Sequence, residues 1–148
     1  MSSILECSSA GDKRFSALFA KVTLFGEEQT IEEWYQYSKR FGIKDVKNYH
    51  WKQIKGMSKW LKISHIRING YKYDAKYLHT WYKTLWLIYL NKNPELVEYL
   101  KQFDEYNDRF KEKGHICQAD VIRQYMRNRK SLVLECITFA SIIGVEIN

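Results

Sequence analysis

Alternating hydrophobic and polar residues near the start of the chain predict a β-strand. Residues 15–25, FSALFAKVTLF, combine this alternation with residue types that favour strands. Gly26 and the polar sequence EEQ follow directly and are expected to end the strand. The first regular element that the pattern predicts is therefore a strand that runs up to Gly26.

The pattern then changes to the spacing of an amphipathic helix. The residues expected to face inward are Ile31, Trp34, Tyr35 and Ser38. Thr30 is a good N-cap, and Glu33 lies three residues further on, which is the spacing of a capping box. Gly42 is a suitable residue to end the helix. We therefore expect a short helix that begins after Thr30.

The sequence HIRINGYKYD predicts a β-hairpin. Asn69 and Gly70 are typical central residues of a two-residue turn between two strands. The partners expected on the apolar face are Ile66 with Tyr73 and Ile68 with Tyr71. Arg67 and Lys72 then become neighbours on the other face, where like charges repel each other unless water or a bound anion separates them.

Most of the remaining chain has helical spacing. Asp74 is a suitable cap for a central, largely buried helix, and Pro94 is a typical first residue of the next helix. Residues 118–129 predict another helix, and residues 131–148 predict a last one that ends at Gly144. The residues expected to face inward are Leu78, Trp81, Tyr82, Leu85 and Tyr89 in the central helix and Val121, Ile122, Tyr125 and Met126 in the later one.

These elements predict an α+β fold that is mainly α, with a small sheet or hairpin. Hydrophobic residues make up 45% of the 148, which excludes a disordered chain and suffices for one substantial core. We assign residues 1–148 to a single compact domain. Residues 1–12 are expected to be flexible or peripheral.

The positive charge of the chain is concentrated in one segment. The formal net charge is +7. Residues 44–76 contain nine basic residues and only Asp45 and Asp74 as acidic ones, so this segment holds the whole excess. The basic residues are Lys44, Lys47, Lys52, Lys55, Lys59, Lys62, Arg67, Lys72 and Lys76. With five aromatic residues interleaved, the segment predicts either a surface for nucleic acid or another phosphate-bearing ligand, or a solvated lysine face.

Several functional classes receive no support from the sequence. No apolar run is long enough for a transmembrane helix, the first residues lack the features of a signal peptide, and three scattered cysteines favour reduced thiols. We therefore expect a cytoplasmic protein with no membrane partner.

The four histidines form no zinc pattern and no glycine loop for phosphate is present, so neither a metal nor a cofactor is expected. The acidic residues Asp104, Glu105 and Asp108 favour a surface loop over a metal site. The oligomeric state stays open.

Two adjacent carboxylates stand at the start of the first predicted helix. Glu33 is explained by the capping box. Glu32 lies in the first turn, where the helix dipole favours an anion, and it is either solvated or placed at the rim of a pocket. A carboxylate among aromatic and basic residues can stabilise a sugar oxocarbenium ion or activate a water molecule. Glu32 is therefore the candidate catalytic residue.

Four segments, taken in order, resemble the NADAR or YbiA-like family of N-glycosidases. They are RFSALF at 14–19, TIEEWYQYSKRF at 30–41, WYKTLWLIYLNKNPELVEYLKQFD at 81–104 and DVIRQYMRNR at 120–129. The residues that match the central family motif position by position are Thr30, Glu32, Tyr35, Gln36 and Lys39. The resemblance implies a mostly helical domain with a pocket for an ADP-ribose-like or ribosylated-base ligand, in which an N-glycosidic bond is cleaved.

The resemblance also implies roles for individual side chains. Glu32 would be the catalytic carboxylate near the anomeric carbon of the ribose. The side chains that would bind the ligand are Phe15 and Tyr35, stacked on the base, and Ser16, Gln36 and Lys39, on ribose or phosphate. Each of these has a structural alternative, as a core residue or a solvated helix face. Arg67, Lys72 and Arg123 are added as phosphate ligands because of their charge alone.

Three departures from the family pattern bear on catalysis. Glu33 replaces a family His, Ala17 replaces an Asn, and KEKGHICQAD replaces a D-x-x-W-G-x-G segment that carries a catalytic Asp. Asp120 is the candidate substitute for that Asp. The chain is therefore an N-glycosidase, or a non-catalytic nucleotide-binding protein that sequesters a signal or inhibits another enzyme, or a basic nucleic-acid-binding module. Whether it is an enzyme stays open.

Overall fold

The structure is a computed structural model that describes residues 3–112 and 115–147. The helices in these residues are α1 Ile31–Ser38, α2 Trp51–Met57, α3 Leu78–Lys92, α4 Pro94–Leu100 and α5 Gln118–Ile143. The strands are β1 Ile4–Glu6, β2 Lys21–Leu24, β3 Glu27–Thr30, β4 Lys39–Arg40, β5 His65–Ile68, β6 Tyr71–Asp74 and β7 Glu105–Asn107. They form three small sheets, in the orders β1-β7, β2-β3 and β4-β5-β6. The predicted α+β fold, mainly α with small sheets, is confirmed.

The central helix α3 is buried on almost all of its sides. Ten of its fifteen residues are buried, among them Trp81, Leu85 and Trp86. A helix that is hydrophobic all round has to be enclosed by other elements, and α3 packs mainly against α5 and also against α1 and α4. The core therefore follows α3, and α1 lies directly on it.

The predicted hairpin is confirmed in its turn and in its register. Asn69 and Gly70 both adopt positive φ angles, of 51° and 82°, which suit a tight two-residue turn. The paired residues are His65 with Asp74, Ile66 with Tyr73, Arg67 with Lys72 and Ile68 with Tyr71. The short strand β4 adds antiparallel to β5 and places the end of α1 beside the hairpin.

The strand predicted over residues 15–25 is wrong in extent. Lys13–Phe15 forms a 3-10 helix, residues 17–19 form a turn, and only Lys21–Leu24 is extended. The polar residues that were expected to end the strand form a strand of their own, β3, because Phe25 and Gly26 make a tight turn with φ angles of 54° and 76°. A two-stranded hairpin with one open face can accept polar residues in both strands, so hydrophobicity did not reveal it.

The flexible or peripheral placement expected for residues 1–12 is wrong for residues 3–12, while Met1 and Ser2 lie outside the described residues. Strand β1 pairs in parallel with β7, about a hundred residues away, in a segment expected to be a polar loop. Leu5 and Cys7 are buried in the core, and the Cys7 amide donates to the Asn107 carbonyl at 2.7 Å. A parallel pair between distant segments leaves no local signal in either one.

Helix ends were predicted with mixed success. The kinked helix α5 ends at Gly144, whose φ of 77° is left-handed as expected. Helix α1 ends at Ser38, before the predicted stop at Gly42, because Lys39 is already extended and begins β4. Among the described residues, no helix combines the length and the apolar composition needed to cross a membrane.

Candidate functional site

Helix α1 and the residue that follows it carry three neighbouring polar side chains. Glu32 and Gln36 are one helical turn apart in α1, and Lys39, the first residue of β4, comes three residues after Gln36. We call them the α1 polar row. The predicted capping box fixes the start of the helix: Glu33 N donates to Thr30 Oγ1 at 3.1 Å, and Thr30 N donates to Glu33 Oε1 at 2.9 Å. Glu33 is thereby used for folding, whereas Glu32 is left for other interactions.

Glu32 is half-buried where α1 meets the turn of residues 16–20. Its backbone N–H donates to the Ala17 carbonyl at 3.0 Å, and the Ile31 N–H donates to the Ala20 carbonyl at 2.9 Å. The Glu32 carboxylate accepts a hydrogen bond at Oε1 from Gln36 Nε2 at 2.9 Å. Glu32 Oε2 accepts no hydrogen bond within the described part of the chain. One carboxylate oxygen is therefore held in place and the other is available.

Gln36 contains a buried hydrogen-bond acceptor that the fold leaves unsatisfied. Its side chain is only 3% exposed, and Oε1 has no hydrogen-bond partner among the described residues. Buried polar atoms in folded proteins are nearly always paired, and an unpaired one costs about 1–3 kcal/mol. An unpaired buried acceptor next to a carboxylate requires an explanation, and an N–H or O–H donor of a bound molecule would supply one.

Lys39 is a buried cation at the end of the α1 polar row. It is 5% exposed, its Nζ donates to Ser58 Oγ at 3.0 Å, and it lies 4.8 Å from the centre of the Tyr35 ring. Burial lowers the pKa of Lys39 to about 8, although the charge of Glu32 acts in the opposite direction. Lys39 forms no salt bridge with any described carboxylate. A buried ammonium group of this kind favours an anionic ligand.

Two tyrosines form an aromatic wall beside the row. The half-buried ring of Tyr35 meets that of Tyr82, on α3, edge to face with centres 5.1 Å apart. Burial, helped by the charge of Glu32, raises the pKa of Tyr35 to about 12, and burial also raises the pKa of Tyr82. Both phenols therefore stay neutral at physiological pH. The wall adds apolar surface and hydroxyl groups but no charge.

Replacing Lys39 by Met should change how stability depends on pH. The unfolded chain holds the Lys39 proton up to its ordinary pKa of 10.5, whereas the folded protein releases it near 8. The buried charge of Lys39 therefore lowers the free energy of unfolding by its full amount below about pH 8. This destabilisation disappears as the pH rises toward 10.5. We expect Lys39→Met to raise the free energy of unfolding by about 1–3 kcal/mol at neutral pH, and this advantage to shrink as the pH approaches 10.

Urea denaturation at several pH values measures this effect. Lys52→Met is the matched control, because Lys52 is exposed and its replacement removes a charge without relieving burial or removing a charge that acts on the pKa of Lys39. Ser58 Oγ keeps its own hydrogen bond to the Ile54 carbonyl at 3.0 Å in the Lys39 variant. A stability difference between Lys39→Met and the wild type that does not vary with pH would contradict the prediction.

Two of the residues expected to bind the ligand are enclosed by the fold. Phe15 is fully buried, stacked parallel to Tyr99 with ring centres 6.1 Å apart, so its expected role in stacking on a base competes with this packing and stays a prediction. Ser16 is also buried, and its Oγ accepts the Leu18 N–H at 3.3 Å within the turn. The RFSALF segment supports α1 through its backbone, because the Ala17 and Ala20 carbonyls accept the first N–H groups of the helix.

The second candidate catalytic residue, Asp120, belongs to a different cluster. It pairs with Lys111 at 2.7 Å and with Arg123 at 3.1 Å. Arg123 in turn pairs with Glu105 at 2.6 Å and donates to the Tyr106 carbonyl. Hydrogen bonds from Arg123 and from the Tyr106 N–H lower the pKa of Glu105 to about 2.

This cluster fastens the start of α5 to β7. The expected roles of Asp120 in catalysis and of Arg123 in phosphate binding therefore compete with ion pairs already formed. Two of the acidic residues that were expected to form a surface loop also make contacts in this region. Glu105 pairs with Arg127 at 3.4 Å, and Asp108 accepts a hydrogen bond from Gln118 Nε2 at 2.7 Å. Lys113 and Gly114, which interrupt the segment KEKGHICQAD, lie outside the described residues.

Arg67 and Lys72 are cross-strand neighbours on the exposed face of the hairpin, as predicted. The Arg67 guanidinium donates to the Gly70 carbonyl at 3.1 Å, and neither side chain hydrogen-bonds a member of the α1 polar row within the described part of the chain. These two residues belong to the basic surface of residues 44–76 and not to the row.

Three residues of the site neighbourhood had no signal in the sequence. Ser58, at the end of α2, holds Lys39, and Tyr82 packs on Tyr35. Gln118 accepts the Ala17 N–H at 2.8 Å through Oε1 and so ties α5 to the turn beneath Glu32. These contacts join segments that are distant in sequence, so local patterns do not reveal them.

Two adjoining grooves lie on another side of α1. Their volumes are about 470 and 210 Å³, and both are lined by Glu27, Gln29, Tyr37 and Arg40. No member of the α1 polar row lines either groove. Groove size and site chemistry thus point to different faces, and the partly buried polar groups identify the row as the candidate site.

No protein-family model matches the chain, and no curated protein matches it either. Functional inference therefore rests on the residues and their geometry.

Proposed function

We propose that the protein is an N-glycosidase that hydrolyses the bond between ribose and a base in an ADP-ribose-type or ribosylated-base ligand. The observation that carries the proposal is the α1 polar row: a half-buried carboxylate and an unpaired buried amide oxygen on α1, followed by a buried ammonium group at the start of β4. These groups match the needs of the positively charged ribose ring, its hydroxyl groups and a phosphate.

Glu32 has the central role in this reaction. Its free oxygen, Oε2, stabilises the oxocarbenium character that develops at the anomeric carbon, and it orients and deprotonates the attacking water. A bond forms between the water oxygen and the anomeric carbon while the bond from that carbon to the base nitrogen breaks. The base keeps the electron pair. The proton that Glu32 takes from the water passes to a base that leaves as an anion, or to solvent where the base leaves neutral. Gln36 holds the other carboxylate oxygen at 2.9 Å, which limits rotation of the carboxylate.

The other members of the row bind and orient the ligand. Gln36 Oε1 accepts a hydrogen bond from a ribose hydroxyl group, which satisfies the unpaired oxygen. Lys39 provides the positive charge for a phosphate, and the Tyr35 ring provides a face for the base. Because the pKa of Lys39 is about 8, phosphate binding should weaken as the pH rises through that value.

The resemblance to the NADAR or YbiA-like family supports the same assignment from the sequence. The row residues Glu32, Gln36 and Lys39 are all positions that match the central motif of that family. Tyr35, the wall residue, is a further matching position. The matched residues thus include every member of the row.

One observation favours a second candidate function. Asp120, the expected substitute for the family Asp, is neutralised by Lys111 and Arg123. With a single free carboxylate, the row suits a protein that binds a nucleotide without cleaving it. Such a protein would sequester the nucleotide or inhibit another enzyme.

Product analysis separates the two candidates. The protein is incubated with NAD⁺, ADP-ribose and an ADP-ribosylated guanine nucleotide, and the mixtures are analysed by mass spectrometry before and after removal of the protein. Release of nicotinamide and ADP-ribose from NAD⁺, of adenine from ADP-ribose, or of ADP-ribose from the modified guanine nucleotide supports hydrolysis. Intact nucleotide that is retained by the protein supports binding alone. A nucleotide that is neither retained nor cleaved contradicts both candidates for that ligand.

A further inference from the structure

The nine basic side chains of residues 44–76 are all exposed to solvent. None of them forms a salt bridge within the part of the chain that the structure describes. Outside this segment, cations such as Lys83, Lys111 and Arg123 are paired with carboxylates at 2.6–2.7 Å. The net positive charge of the protein is therefore concentrated in one exposed and uncompensated region, which we call the basic face.

The basic face also displays large aromatic side chains. Trp60 is 88% exposed, in the turn that follows α2, and lies between Lys59 and Lys62 in the sequence. Tyr71 is exposed on the hairpin, next to Lys72. Exposing a whole indole to water is unfavourable, and alternation of aromatic rings with cations is typical of surfaces on which unpaired bases stack.

Backbone contacts hold the parts of this face together. The Ser64 N–H donates to the Arg40 carbonyl at 2.9 Å, and the Gly42 N–H donates to Ser64 Oγ at 2.8 Å. The turn that carries Trp60 is thus tied at its far end to strand β4, which pairs with the hairpin strand β5. The exposed aromatic rings and cations are therefore carried by one connected substructure.

The two grooves described above give the face a path for a phosphate backbone. Their cationic lining residues are Arg40, Lys44, Lys47 and Arg67, whereas Glu27 and Asp45 are the acidic ones. The excess of positive charge favours a polyanion. A chain of phosphates is a better match than a single phosphate, since the cations are spread over β4, the following loop and the hairpin.

We propose that the basic face binds single-stranded nucleic acid, with phosphates along the grooves and an unpaired base stacked on Trp60. A single strand is favoured over a duplex because the exposed indole needs the open face of a base, which a duplex keeps stacked. The inference does not depend on the proposed hydrolysis. The basic face meets the α1 polar row in one place, because Ser58, which accepts a hydrogen bond from Lys39, lies two residues before Trp60 in the sequence.

Fluorescence anisotropy with a labelled oligonucleotide of about 20 nucleotides tests the proposal. We expect the binding constant to fall steeply between roughly 50 and 200 mM salt, with a logarithmic slope of about −0.7 for each phosphate contacted. A labelled duplex of the same length should bind more weakly. Binding that does not respond to salt, or a preference for the duplex, would contradict the proposal.

Variants then locate the contact. Trp60→Ala should weaken binding by roughly 5- to 100-fold, and Trp60→Phe should retain most of the affinity because a ring remains. Lys59→Ala and Lys62→Ala should each make the logarithmic salt slope less steep, by up to about 0.7, which corresponds to the loss of one phosphate contact. The matched controls are Lys92→Ala and Lys130→Ala, which remove exposed lysines outside the face and should leave binding unchanged.

Two further measurements separate this inference from its competitors. Glu32→Gln should bind the oligonucleotide like the wild type, so a failure of the proposed hydrolysis would leave this result intact. Phosphatidylserine vesicles and oligonucleotide are offered in separate assays, and affinity for vesicles alone would contradict the proposal. Equal oligonucleotide affinity for Trp60→Ala and the wild type would remove Trp60 from the site and overturn the stacking model.

Discussion

Replacing Glu32 by Gln is expected to lower kcat/KM for hydrolysis of the N-glycosidic bond by roughly 10²–10⁴-fold. The substitution preserves the size of the side chain and an oxygen that can accept the hydrogen bond from Gln36 Nε2. It removes the negative charge that stabilises the developing oxocarbenium ion and the base that activates water. Nucleotide affinity, measured by isothermal titration calorimetry, should change far less than turnover.

The neighbouring glutamate provides a matched control for this variant. Glu33→Gln removes the same charge one residue further along, but Gln is also a good capping-box partner, so the helix start is preserved. We expect Glu33→Gln to keep wild-type turnover. Undiminished hydrolysis by Glu32→Gln would contradict the role of Glu32, and equal losses in the two variants would point to a general electrostatic effect.

Asp120→Asn distinguishes the two candidate carboxylates. Because Asp120 is paired with Lys111 and Arg123, its replacement should weaken the attachment of α5 to the segment that carries Lys111 and leave the chemistry unchanged. A folded Asp120→Asn protein that has lost hydrolysis would show that Asp120 takes part in catalysis after all.

Replacing Trp81 by Ala is expected to reduce the free energy of unfolding by about 3–5 kcal/mol. Trp81 is fully buried on α3 and meets Trp34 and Phe139 edge to face, with ring centres 6.3 and 6.2 Å away. Its indole N–H donates to the Trp34 carbonyl at 3.2 Å, and the Trp34 indole N–H donates to the Val22 carbonyl at 2.8 Å. The variant therefore loses packing and a buried hydrogen bond together.

The same contacts position the candidate site, since they hold α1 between α3 and β2. Trp81→Ala should accordingly also impair any function of the α1 polar row. Trp60→Ala is the control for the loss of an exposed indole and should shift stability by no more than about 0.5 kcal/mol. Urea denaturation followed by far-ultraviolet circular dichroism compares the two, because that signal does not depend on tryptophan fluorescence. Equal denaturation midpoints would contradict the central place of Trp81 in the core.

The sequence predicted those features that depend on a few neighbouring residues. The capping box of Thr30 and Glu33 was recognised from spacing alone, because both hydrogen bonds form within one helical turn. The hairpin register followed from Asn69 and Gly70, whose backbone preferences fix which residues face each other. The position of α3 followed from its hydrophobic content.

Part of the candidate site was predictable in the same way, and part was not. Helical spacing places Glu32 and Gln36 on one face of α1, but the position of Lys39 in β4 and the burial of the row depend on the turn of residues 16–20 and on Ser58. Phe15 and Asp120 have partners that the sequence did not reveal, since Tyr99 packs on Phe15 and Lys111 and Arg123 pair with Asp120. The catalytic and ligand-binding roles themselves stay predictions.

By itself, the sequence determined the fold class, the starts of α1, α4 and α5, the hairpin and the location of the net charge. Only the tertiary structure decided that β1 pairs with β7, that Lys39 is buried and that all nine cations of the basic face are exposed and unpaired in the described structure. The physical reason is the range of the interactions. Backbone preferences act over a few residues, whereas burial and ion pairing depend on partners that only the folded chain brings together.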